Sequence, residues 1–190
     1  MFVKIHSYCW QVGLCGLLCF SALNAIQAQA PNQVNVILQP TELLDNLQVG
    51  TSNSSEIRQE GEENEINLIQ NQMEGALLGN MAQIEQTGNK NKANVAQNGE
   101  ANALVLLQNG NRNLYELVSD GTNIKIVIVQ DGQRNEILQN ITNSSDVRVN
   151  FEQIGNDNSI IHELDGISNK EYSIRQVGDG LSVIIRQSGG

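Results

Sequence analysis

Five carboxylates, Glu56, Glu60, Glu62, Glu63 and Glu65, fall close together in the chain. Carboxylates do general acid and base work when a cleft drives their pKa values apart. Nothing around these five builds a cleft, and the cluster reads as a solvated, self-repelling face. The thiols, Cys9, Cys15 and Cys19, all lie near the start of the chain, and His162 is the one histidine beyond the first thirty residues. A thiol nucleophile and a histidine-rich metal site are therefore not expected in the rest of the sequence. His162 falls on an apolar phase and reads as a packed core residue. We expect no catalysis and no cofactor.

The groups that do recur at fixed spacing are amides. Asparagine and glutamine make up about 23% of the 190 residues, more than the 17% that are charged. Gln-x-Gly occurs at Gln86, Gln97, Gln108, Gln130, Gln153, Gln176 and Gln187, and earlier at Gln48 and Gln59. The steps are eleven residues or near multiples of eleven. Three residues after seven of these nine glycines an asparagine recurs, at Asn53, Asn64, Asn91, Asn102, Asn113, Asn135 and Asn158. An amide both donates and accepts, so identical amides stacked about 4.8 Å apart can satisfy one another in a ladder. Alone and buried, each would be costly.

Stepping back from each glutamine by twos finds apolar or amide residues. Examples are Asn91-Ala93-Val95-Gln97, Ile124-Ile126-Ile128-Gln130 and Val147-Val149-Phe151-Gln153. Period two predicts strands with these residues on one face. The other phase is mostly polar, as at Lys92, Asn94, Glu116, Glu152 and Arg175. Each strand is expected to span about seven residues, followed by a glycine-built turn of about four. A hairpin meander would not require the same amide at the same phase of every strand. A parallel β-solenoid does. Two strands form a rung of about 22 residues, in roughly six rungs over residues 54–190. Gln86, Gln108 and Gln130 should share one ladder, with Gln97 in the facing one. The amide positions expected to matter for assembly are Gln59, Gln86, Gln97, Gln108, Gln130, Gln153, Gln176 and Gln187, with Asn64, Asn91, Asn102, Asn113, Asn135 and Asn158.

Three irregularities stand out. Met73–Gly79 interrupts the spacing between Gln70 and Gln86, and residues 142–146 and 166–170 each carry one extra residue. Ser119, Ile141 and Leu164 stand where glutamine is expected. On the outward phase Val105, Leu107, Val127 and Val129 should stack into an exposed apolar patch, read as a lateral contact. Asp120, Asp131, Asp157 and Asp179 lie in turns beside glycine, where turn preference accounts for them. A sharper reading stacks them as like charges that slow premature assembly.

Residues 1–30 read as a secretory signal peptide. Lys4 precedes an apolar run from about Val12 to Ala25, and small residues follow up to Ala28-Gln29-Ala30, with cleavage after Ala28 or Ala30. The formal net charge of -10 is wrong for neutralising phosphates, so nucleic acid is not an expected partner. No small-molecule substrate is expected either.

These residues, above all NMAQIEQTGNKNKANVAQNGEANALVLLQNGN from position 80 to 111, resemble the curlin repeat. The resemblance spans about three-quarters of the chain. It implies a secreted subunit of curli-type extracellular amyloid fibres in biofilms, assembling with other curlin subunits. It further implies export through an outer-membrane secretion channel with accessory factors, a short flexible N-terminal targeting segment, here residues 31–53, and a cell-surface location. Irregular repeats, bulky aliphatics and Arg186 in the last strand are more like the minor, nucleating subunit than a major or accessory one. A monomeric secreted β-solenoid adhesin or carbohydrate-binding module is the alternative from another class. It would need capped ends, and the last strand, SVIIRQ, carries no polar cap.

Overall fold

The computed structural model describes Leu44 and residues 47–189. The expected leader lies outside the described residues, as does most of the expected targeting segment. The described chain is built of strands. They are β1 (Ser54–Glu60), β2 (Glu65–Gln72), β3 (Met81–Asn89), β4 (Lys92–Glu100), β5 (Ala103–Asn111) and β6 (Leu114–Thr122). Then come β7 (Lys125–Gln133), the long β8 (Glu136–Asn156), β9 (Ser159–Asp165), β10 (Ser168–Val177) and β11 (Ser182–Ser188).

Every pairing is parallel, and strands pair with the next-but-one strand in sequence, as β3 with β5 and β4 with β6, except at the long β8, which pairs with both β7 and β9 as well as with β6 and β10. One stack runs β1-β3-β5-β7, then the second half of β8, then β10. The other runs β2-β4-β6, then the first half of β8, then β9 and β11. The two stacks face each other as the two sides of a β-solenoid of about six turns. Gln59 meets Gln86 at a step of 27 residues, Gln86 meets Gln108 at 22, and Gln130 meets Gln153 at 23. The long first step is the Met73–Gly79 interruption, which leaves the ladder between β2 and β3. The later step of 23 follows a register shift between Ser119 and Gly121, where the extra residue near Thr142 is absorbed as a bulge.

Period two decides which residues fill the interior. Ile84, Val95, Leu104, Leu106, Tyr115, Leu117, Ile126, Ile128, Ile137, Val149 and Phe151 form one continuous buried core between the two sheets. In the middle of the solenoid, β3 to β7, the strands are longer than expected, nine residues each, and leave turns of about two. The reason lies at the corners. The Gln-x-Gly-Asn segments also stack rung on rung, as Gly88 on Gly110 and Asn89 on Asn111. Glycine supplies one left-handed corner position, as expected. A second left-handed position two residues later is not glycine: Lys90, Ala101, Arg112 and Arg134 take it, with φ near +60. That second position has no glycine signal to announce it.

Gln48-Val49-Gly50, which matches the repeat by spelling, lies outside the strands. Leu44 and Leu47 instead form a second, smaller buried cluster with Ala103, Val105 and Val127 on the outer surface of β5 and β7.

Candidate functional site: the amide ladders and the outer faces

The first ladder is as long as the solenoid. Gln59 Nε2 donates to Gln86 Oε1 at 2.7 Å, Gln86 to Gln108 at 2.7 Å, and Gln108 to Gln130 at 2.8 Å. Gln130 donates to Gln153 at 3.0 Å, and Gln153 to Gln176 at 2.9 Å. The second hydrogen of each inner amide crosses the interior to a carbonyl at the start of the opposite strand. Gln86 reaches Glu65 O, Gln108 reaches Lys92 O, and Gln130 reaches Leu114 O. Both donors and the acceptor are used, so these buried amides carry no desolvation debt. All donate toward the C-terminal rung, which gives the ladder a polarity.

The facing column is short. Gln70 donates to Gln97 at 2.9 Å, and Gln97 turns its own amide to Met81 O. The column then continues as Ser119, Ile141 and Leu164 before Gln187 closes it. Gln187 is exposed and accepts from the Tyr172 hydroxyl rather than from another glutamine.

The asparagines bind the corners. Asn91 Oδ1 accepts the backbone N–H of Asn113, Asn113 that of Asn135, Asn135 that of Asn158, and Asn158 that of Leu181. Their Nδ2 groups donate to the glycine carbonyl of the next rung, as Asn91 to Gly110 and Asn113 to Gly132. Asn64 starts this column, and Asn102 does the same work at the opposite corner, on Gly121 O and Ile124 N. Each asparagine thereby serves two backbone groups that strand pairing leaves over.

One buried polar cluster was not legible beforehand. Tyr115 donates to Gln139 Oε1 at 3.0 Å, and Gln139 Nε2 lies 3.1 Å from His162 Nδ1. His162 packs edge-on against Phe151 and Tyr172, with ring centroids 5.1 Å and 4.7 Å away. It is a core residue, as expected. Its Nε2 has no hydrogen-bond partner, and burial pushes its pKa down to about 4. An unfolded histidine titrates near 6.5, so between these values the unfolded chain binds the proton and the folded chain does not. Stability from this group is complete above about pH 6.5 and is lost as pH falls to about 4. The loss should reach about 3 kcal/mol, and His162→Leu should flatten that part of the curve. Urea midpoints at pH 7 and pH 4 compare the two; equal pH dependence in both chains would deny the role.

Two surface expectations need correction. The turn aspartates do not stack on one another. Arg134 makes a two-pronged pair with Asp157 at 2.6 and 2.7 Å, Asn109 donates to Asp131, and Asn156 to Asp179. Neutral or opposite groups on adjacent rungs remove the proposed repulsion. The apolar patch is not open either. Val105 is 5% exposed and Val127 0%, because Leu44 and Leu47 lie on them, while Leu107 and Val129 are half-buried. Period and spacing assign the leucines before Asn53 no packing role. Burying two leucines gains roughly 3–6 kcal/mol.

The outer face of the other sheet carries an open depression of about 510 Å³, lined among others by Ile69, Val118, Leu138 and Ile161, with Glu163 and Arg186 paired at its rim. Comparison with family models, with characterised proteins and with solved structures finds no match to this chain. A β-solenoid of this kind is compatible with a structural or adhesin-like protein.

Proposed function

We propose that this chain is a secreted structural subunit of a curli-type extracellular amyloid fibre, and within it the minor subunit that starts polymerisation. The observation that carries the reading is the state of the ladders at the two ends. The ladder donates in one direction from Gln59 to Gln176, and neither terminal rung has a hydrogen-bonded neighbour on its outer side among the described residues. A second solenoid stacked in register on β10 and β11 would bring its Gln59 over Gln176 and its Gln70 over Gln187. Both amide columns would resume with the same polarity. An unpaired strand edge of this kind is a template for another chain.

The same register supports an initiating role over a repeated one. Stacking copy on copy would place Arg58 against Arg175, since each already holds a glutamate on its inner side, Glu85 and Glu152. It would also place Glu62 against Asp179, which occupy the same corner column. Like charges directly opposed on paired strands are destabilising. A partner of the same rung geometry with other side chains at these points escapes both clashes. Other curlin-repeat chains are the expected partners, and an outer-membrane channel with accessory factors is the expected route.

The test is twofold. The purified chain should give fibres with a cross-β spacing of about 4.8 Å, and a small amount should shorten the lag of a more regular curlin-repeat protein. A chain that stays monomeric, seeds nothing and binds glycan would decide for the adhesin or carbohydrate-binding reading.

A further inference from the structure

Asparagine is followed directly by glycine at two places in the sequence, Asn98-Gly99 on β4 and Asn109-Gly110 on β5. Such a step carries its own reaction. The glycine backbone nitrogen, once deprotonated, attacks the asparagine side-chain carbonyl carbon. A C–N bond forms, ammonia leaves, and a five-membered succinimide results. Water then opens the ring at either carbonyl. One product is aspartate. The other is isoaspartate, in which the main chain runs through the former side chain. Glycine allows the attack best, because it has no Cβ in the way and its backbone turns freely.

The folded chain withholds both sites. Asn109 Nδ2 donates to Asp131 Oδ1 on the next rung at 2.9 Å, and Asn98 Oδ1 accepts from Asn71 Nδ2 on the previous rung at 2.9 Å. Each side-chain amide is engaged along the stack and not with the glycine that follows it. The main chain is fixed as well. Gly99 pairs with Gly121 and Gly110 with Gly132. The carbonyls of Asn98 and Asn109 accept from Asn102 Nδ2 and Asn113 Nδ2, each at 3.1 Å. Ring closure requires the side chain and the following peptide to turn toward each other, and pairing with rungs on both sides prevents that turn.

The products do not fit the stack. Aspartate adds a charge beside Asp120 or Asp131 on the paired rung, where like charges destabilise. Isoaspartate does more, since it inserts one extra backbone atom just before a glycine without spare room. A Cβ at Gly99 or Gly110 would already stand 1.9 Å from the carbonyl oxygen of the next rung. Strand and corner lose their register from that point on.

We propose that Asn98-Gly99 and Asn109-Gly110 are self-modifying sites that limit how long an open chain stays able to fold. The open chain ages at both positions, and closure of the solenoid stops the reaction. A chain that has aged to isoaspartate no longer closes its central rungs. This requires the fold alone, whatever the solenoid assembles with.

The test holds the full chain in mildly alkaline buffer for days, one portion folded and the other in strong urea. Peptide mapping reads amide loss at each asparagine from the change in mass, and labelling by a protein-isoaspartate methyltransferase reads isoaspartate. In urea, Asn98 and Asn109 should convert at least about tenfold faster than Asn94 and Asn111, which valine and arginine follow. In the folded portion the same two sites should convert at least about tenfold more slowly than in urea, because the reaction waits for the rungs to open. The urea-aged chain is then diluted from urea and separated into folded and misfolded pools. Isoaspartate at 98 and 109 should be depleted at least about tenfold from the folded pool, as an overfilled stack requires. Asp179-Gly180 forms the same ring with loss of water, and a Cβ at Gly180 meets nothing within 4 Å. Isoaspartate there should be spread evenly over both pools. The proposal is overturned by equal rates in folded and unfolded chain, by rates at 98 and 109 no higher than at 94 and 111, by isoaspartate at 98 and 109 spread evenly over the pools, or by equal depletion at 179.

Discussion

Gln108→Leu should cost about 3 kcal/mol or more of unfolding free energy, and Gln83→Leu should change stability by less than about 0.5 kcal/mol. The two glutamines are on neighbouring strands and differ only in phase. Gln108 accepts from Gln86, donates to Gln130 and donates to Lys92 O. Leucine at 108 leaves a buried N–H on Gln86 and an empty acceptor on Gln130, and removes the side-chain bond to Lys92 O. Each orphan costs on the order of 1–3 kcal/mol, only part of which the added apolar contact offsets. Gln97→Leu should fall between them, because the facing column gives Gln97 only Gln70 and Met81 O as partners. Urea midpoints of the soluble chain rank the three variants. If Gln108→Leu and Gln83→Leu are equally mild, the ladder contributes nothing to stability.

Gly110→Ala should be strongly damaging, roughly 3 kcal/mol or more. The position has φ +109, which L side chains rarely adopt. A Cβ there would also stand 1.9 Å from Gly132 O on the next rung. That oxygen cannot retreat, because it already accepts from Asn113 Nδ2. Gly75 separates the two causes: its φ is +79 but nothing lies within 4 Å of a built Cβ. Gly75→Ala should cost only the left-handed strain, about 1–2 kcal/mol. Gly50→Ala, with neither strain nor a neighbour, should be silent. Thermal unfolding of the three alanine variants would show the order, and a Gly110→Ala chain as stable as Gly50→Ala would mean that the rungs do not stack this closely.

Much of the architecture was legible because a solenoid is a local rule repeated. The eleven-residue phase of Gln-x-Gly, the period of two before it and the asparagine three residues after it each reflect one rung's chemistry. Stacking carries that chemistry to the next rung. The fold, the number of rungs, the long ladder from Gln59 to Gln176 and the interior place of His162 could therefore be written from spacing alone. The bulge near Thr142 and the excursion at Met73–Gly79 were visible as faults in the same spacing.

What the sequence could not decide lay in contacts that the repeat does not prescribe. The partners of the second amide hydrogen are carbonyls across the interior. The Tyr115–Gln139–His162 chain joins residues of three different rungs. The left-handed position held by Lys90 and Arg112 needs no glycine and so leaves no mark. The turn aspartates seemed stackable until the register set arginine and asparagine beside them. The apolar patch read as open surface because periodicity describes one sheet at a time. Leu44 and Leu47 belong to no repeat, and only the tertiary structure brings them onto Val105 and Val127: hydrophobic burial is non-directional and leaves no spacing in the sequence to announce it.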